Sequence, residues 1–174
     1  HKEYKNGGIQ YFGDAMKLPD NLQKYDFIIN SHVLEHIANP LKALFHWKNQ
    51  LLSSGILILV LPKKELCFDH RRSITKVETL IDKYNKNVDE DDLSSLDEIL
   101  KLHDLSMDQP AGTFEQFKKR SLDNFNNRCL HHHVFDIELL EQIATFIDME
   151  VVFKYINGLD QIIIFEKGGV LGFW

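Results

Sequence analysis

The sequence predicts an α/β fold around a mostly parallel sheet with a final antiparallel strand. Three observations carry that expectation. Two continuous apolar runs, Tyr25–Ser31 (YDFIINS) and Ile56–Leu61, have the length and composition of buried strands rather than of amphipathic helices. Between them lies one helix-sized segment with a single apolar face. The chain closes on another such segment, followed by two strand-like runs that flank Asn157 and Gly158.

Each element has a local reason. Asn39 before Pro40 is an N-cap with proline at the first helical position, and Leu41, Leu44, Phe45, Trp47, Leu51 and Leu52 then recur near helical spacing. Ser53, Ser54 and Gly55 break that helix, and Pro62 ends the strand after it. Strand, helix and strand in this order predict a right-handed parallel crossover. From Lys63 to Arg128 charged residues dominate, with helical stretches expected at 74–84, 96–103 and 114–125. That region reads as a helical insertion or lid. Its acidic run, Asp89 to Asp92, is expected to be a solvated loop that starts a helix. Asp136 caps a helix with Ile137, Leu140, Ile143, Ala144 and Ile147 on one side, and 150–156 with 161–166 reads as an antiparallel hairpin.

Composition narrows the class. With 174 residues, 44% of them hydrophobic and 11% aromatic, the chain suits one packed domain. A net charge of -6 offers no general attraction to phosphate backbones or anionic lipid, so neither nucleic acid nor membrane is expected as a partner. The longest apolar run, Ile56–Leu61, is far shorter than the ~20 residues that span a bilayer. Cys67 and Cys129 stand apart with no CxxC, which argues against a disulfide scaffold or thiolate zinc site and fits a reducing cytoplasm. The glycines of KGGVLGFW, Gly168, Gly169 and Gly172, precede no helix, so they read as a tail rather than a phosphate loop.

The stretch Gly13–Pro62, GDAMKLPDNLQKYDFIINSHVLEHIANPLKALFHWKNQLLSSGILILVLP, resembles the central part of the class I S-adenosylmethionine-dependent methyltransferases, especially the small-molecule type with a VLEH motif, here Val33–His36. The acidic–small pair Asp14–Ala15, the strand ending in VLEH, the helix after a proline, the glycine turn and the next strand occur in family order. Ser53, Ser54 and Gly55 stand where the family has a proline and paired glycines. The resemblance implies a Rossmann-like three-layer fold with a core at 9–62 and 129–167 and an insertion or lid at about 63–128. It also implies methyl transfer from S-adenosylmethionine to an O, N or C nucleophile of a small-molecule or saccharide-type acceptor, by in-line displacement. The family's first strands, glycine-rich loop and acidic ribose-binding residue belong before Gly13, where twelve residues stand. The chain is therefore expected to lack amino-terminal strands and to be poorly behaved alone, and a non-catalytic, methyltransferase-like binding module or inactive fragment is the alternative.

By the same resemblance Asp14, Ala15 and Met16 follow a strand end near Tyr11–Phe12 and contact the adenine side of the cofactor. Asn30, Ser31 and His32 lie at the carboxyl end of a strand, the edge where open α/β sheets bind ligands, under the methionine part. His36 is expected to line the cofactor or acceptor pocket and is, with His70 and His133, a candidate catalytic residue. His32 and His36, with Glu35 between them, have the i, i+4 spacing that presents two imidazoles on one helical face. Zinc is the tempting reading; a methyl sulfonium is already activated, however, so no metal is expected. A metal-dependent hydrolase using His32, His36, His70 and the histidine triplet lacks any ligand-spacing motif. In CFDHRRS, Arg71 and Arg72 are candidates to clamp an acceptor carboxylate or phosphate by forked hydrogen bonds, with Asp69 or His70 taking a proton. In the triplet His131–His133, His133 is a candidate base and His131 a candidate acceptor contact.

Overall fold

The computed structural model describes residues 13–17 and 23–168, so the strand expected near Tyr11–Phe12 and the end of the glycine tail lie outside the described residues. Four strands form one sheet: β1 (Tyr25–Ser31), β2 (Leu51–Pro62), β3 (Glu150–Ile156) and β4 (Asp160–Glu166), in spatial order β1-β2-β4-β3. β1 and β2 run parallel, joined by helix α1 (Pro40–Gln50). β4 inserts antiparallel between β2 and β3, as the closing hairpin predicts.

Local chemistry explains α1. The Asn39 side chain accepts from Lys42 N at 3.2 Å, and Pro40 occupies the first turn, where a missing N–H costs nothing. Leu51 and Leu52 do not continue the helix. β2 begins at Leu51 beside Tyr25, the ladder breaks across Ser53–Gly55, and pairing resumes at Phe27 with Ile56. Ser54 sits at φ 59° and its N–H donates to Lys167 O, while Lys167 N donates to Gly55 O. A Cβ at Gly55 would stand 3.0 Å from Leu52 O and 3.2 Å from Asp26 O, so glycine permits the close approach.

On one sheet face Leu57, Leu59 and Leu61 of β2 and Ile163 and Phe165 of β4 meet Leu41, Leu44 and Trp47 of α1, Leu80 of α2 (Val77–Asn85), and Leu139, Leu140 and Ile143 of α6 (Ile137–Phe146). Each such side chain contributes roughly 1.5–3 kcal/mol of burial. Alternate residues face the other way. Ile29, Ile58, Ile164 and Phe153 make one row across all four strands, with Ile29 60% exposed and Phe153 50% exposed. Among the described residues α1, α2 and α6 cover the first of these faces. The helices between them, α3 (Leu96–Leu102), α4 (Phe114–Leu122) and α5 (Asn124–Asn127), lie about a small second core of Ile99, Ala111, Phe117 and Leu130. No helix of the described residues is long and apolar enough to cross a membrane.

Asn39 also ties α1 to the loop after α2, because its fully buried Nδ2 donates to Lys83 O at 3.3 Å and Val88 O at 3.1 Å. Asn39→Ala removes the cap and the donor to Val88 O, while Lys83 O keeps its bond from Val88 N, an expected loss of about 2–3 kcal/mol. Urea unfolding midpoints measure it. Asn39→Asp, which keeps the cap and loses the donors, is expected to fall between the two, and an alanine variant as stable as the parent would contradict this assignment.

Candidate active site

The carboxyl ends of β1 and β2 point to the same edge, and the chain after β1 turns over it. His32 adopts φ 52°, and a short 3-10 turn spans Leu34–His36. His32 and His36 therefore do not share a helical face, contrary to the spacing argument. The His32 ring points toward Asp160 Oδ1, 3.1 Å away, with Glu35 Oε1 at 3.7 Å on its other nitrogen.

A second segment, residues 130–135, crosses this turn. His132 N donates to Glu35 O at 2.8 Å, His133 Nε2 donates to Ala38 O at 3.1 Å, and His36 Nδ1 donates to Leu130 O at 3.1 Å. On the far side Val134 exchanges hydrogen bonds with Thr75, and Gln161 donates to Phe135 O at 2.8 Å. The crossing is anchored by Arg72, which is 2% exposed. Its guanidinium bonds Asp69 Oδ1 at 2.9 Å, His131 O at 2.8 Å and His132 O at 3.2 Å, while Asp69 Oδ2 accepts from His131 Nδ1 at 2.5 Å. Burial pushes the Asp69 carboxyl up, but the hydrogen bond from His131 and the charge and hydrogen bond of Arg72 outweigh it and hold Asp69 below its usual range.

These contacts redistribute the residues singled out in the sequence. Arg72 and Asp69 are committed to each other and to backbone, so neither is free to clamp an acceptor. Arg71 and His70 turn outward together onto Asp104, at 2.6 and 2.9 Å. His132 and His133 are enclosed, and burial lowers each to about 3, so both are neutral at neutral pH. His132 Nε2 accepts from Asn124 Nδ2 at 3.0 Å, an amide whose oxygen is fixed by Leu130 N. Met16 is fully buried in the main core rather than facing a ligand; its N–H donates to Asp14 Oδ1 at 2.8 Å.

What the fold does bring together is Asp14, Ala15 and His36. They line one cavity of about 280 Å3 with Gly13, Val33, Ile37, Glu90 and Arg128. Trp47 Nε1 holds Ala15 O at 3.1 Å, fixing the Asp14 segment against α1. Burial lowers His36 to about 4. Arg128 and Glu90 escaped the sequence argument. Glu90, read as part of a solvated acidic loop, is 2% exposed, accepts from Ala38 N at 3.1 Å and pairs with Arg128 at 2.6 Å. Burial raises its pKa. Arg128 also stands 3.5 Å from Asp14 Oδ2. At the end of β1, Asn30 is 8% exposed and its Oδ1 has no hydrogen-bond partner among the described residues.

In a Rossmann-like α/β sheet the carboxyl ends of the parallel strands are where ligands bind, and this hollow lies there. A family model described as "Methyltransferase domain" matches residues 5–154. The chain belongs to that family, the class I S-adenosylmethionine-dependent methyltransferases. No curated protein matches the chain significantly. Among solved structures it is similar to an O-methyltransferase family 2 protein from Planctomyces limnophilus DSM 3776 in complex with apigenin, at 13% identity and a TM-score of 0.45. The match covers 89% of this chain, and the chain spans 33% of that one.

The buried and outward arginines make opposite predictions. Arg72→Leu leaves the Asp69 charge buried and two carbonyls unpaired, an expected loss of about 3–5 kcal/mol. Arg71→Ala removes a half-exposed partner of Asp104 and is expected to cost at most about 1 kcal/mol. Chemical denaturation of both variants is the check, and equal effects would contradict the bracing role of Arg72.

Proposed function

We propose that the chain transfers a methyl group from S-adenosylmethionine to a small-molecule or saccharide-type acceptor in the cytoplasm. The observation that supports this reading is the shared cavity: the Asp14–Ala15 pair and the VLEH turn, distant in sequence, border one hollow. The net charge of -6 and the free thiols Cys67 and Cys129 agree with a small acceptor and a reducing compartment.

The residues present fit the cofactor's chemistry. Asn30 Oδ1, buried at a strand end and without a partner among the described residues, is an acceptor for an ammonium N–H. Asp14 keeps Oδ2 for an amino donor while Oδ1 holds its own loop. S-adenosylmethionine supplies an activated methyl on sulfur, so the protein's part is alignment, exclusion of water and removal of the acceptor's proton. Of the three candidate catalytic histidines, His36, His70 and His133, His36 alone borders this cavity. It is neutral at neutral pH with its proton on Nδ1, which leaves the Nε2 lone pair to take that proton. Asp14 and Glu90 place Arg128 at the cavity wall, where its guanidinium can orient an anionic or hydroxylated acceptor.

Calorimetric titration with S-adenosylhomocysteine tests the reading. Asp14→Ala is expected to weaken binding by about 1.5–3 kcal/mol, roughly tenfold or more. Unchanged affinity in a folded variant would remove Asp14 from the site.

A further inference from the structure

We propose that Glu35, His36 and His131 form a binding site for a divalent transition-metal ion of the zinc or iron(II) class. One carboxylate oxygen and one ring nitrogen from each histidine lie within 4.8 Å of one another, close enough to share an ion after small side-chain adjustments. Two imidazoles and one carboxylate are a donor set such ions accept, with further positions open to water or an organic ligand.

The surroundings are built for ligation. Both histidines use Nδ1 elsewhere, His36 on Leu130 O and His131 on Asp69 Oδ2, so each ring keeps its Nε2 lone pair. A carboxylate behind a ligating imidazole fixes its tautomer, orients the ring and raises its basicity, and Asp69 stands in that relation to His131. Asp69 is itself held by Arg72. The two rings meet edge to face with centroids 4.5 Å apart.

Glu35 is the independent observation. It is 2% exposed, and neither Oε1 nor Oε2 has a hydrogen-bond partner among the described residues. The nearest cationic candidate, His32 Nδ1, is 3.7 Å away, beyond hydrogen-bonding reach. In either protonation state such a buried carboxyl is costly without a ligand, and a cation between it and the two imidazoles satisfies it. His36 borders the 280 Å3 cavity, while Glu35 and His131 border a second, much smaller hollow with Cys67 and Asp69. An ion shared by the three donors therefore lies beside the larger cavity. An ion there would engage the His36 lone pair, so His36 takes a proton only in the metal-free chain.

The site is read by metal binding itself, without cofactor or acceptor, so its failure and the failure of the methyltransferase reading are distinguishable. The chain, stripped with a chelator and dialysed, is titrated with Co2+ under visible absorption and with Zn2+ in competition. The expected result is stoichiometric binding with ligand-field bands that Zn2+ abolishes. Glu35→Gln and His36→Ala, each checked for native circular dichroism, are expected to bind at least tenfold more weakly, whereas His70→Ala, outside the cluster, binds as the parent does. Absence of binding by the folded parent overturns the proposal, as does parental affinity in both cluster variants. If one variant fails to fold, the other decides.

Discussion

A guanidinium taken out of water must find partners for its N–H groups, and where Arg72 finds them determines the shape of everything above the strand ends. Two of its partners are backbone carbonyls of a segment more than fifty residues further along the chain, and the third is Asp69, three residues before it. That geometry pins the 130–135 segment across the VLEH turn. Once pinned, His132 N reaches Glu35 O, His133 reaches Ala38 O and Leu130 O receives the His36 proton. The cavity wall, the tautomer of His36 and the isolation of Glu35 all follow from one buried ion pair. Removing either partner costs more than the pair contributes, because the other charge stays buried.

The elements legible in the sequence are those whose reasons are local. Strand β1 has the bounds its apolar run marks, α1 starts at the Asn39–Pro40 cap, and α6 starts at Asp136, whose side chain accepts from Leu139 N at 2.7 Å. The helices of the 63–128 region fall close to their expected places for the same reason. Leu51 and Leu52 were misread because a leucine at the end of an amphipathic helix looks the same as one that opens a buried strand. Which it is depends on Tyr25 lying alongside. The two sheet faces are a different case: the continuous apolar runs of β2 and β4 read as buried on both sides, and among the described residues α1, α2 and α6 pack on one of them.

The site was legible as a neighbourhood and not as a set of roles. Asp14, Ala15 and His36 carry family-like spacing and do share a cavity. Arg72, His131 and Glu35 carry no local mark of being buried, since a charged residue enters a core only when a distant partner meets it. Arg71 and Arg72 are adjacent and chemically alike, yet one faces solvent and the other the interior. Histidines repeat the lesson. In the triplet His131–His133, three consecutive rings meet Asp69, Asn124 and Ala38 O, three unlike partners that only the fold supplies.

Those partners prescribe the ring protons, and the protons carry both the methyl-transfer reading and the metal site. Leu130 O can only accept, so His36 bears hydrogen on Nδ1; Ala38 O can only accept, so His133 bears it on Nε2. Long-range 1H–15N correlation spectra of the histidine rings, taken near neutral pH on the metal-free chain, measure this directly. The account predicts the Nδ1–H form for His36, a proton on Nδ1 of His131 and the Nε2–H form for His133. An Nε2–H form for His36 would remove the lone pair that the cavity requires and contradict the account at its centre.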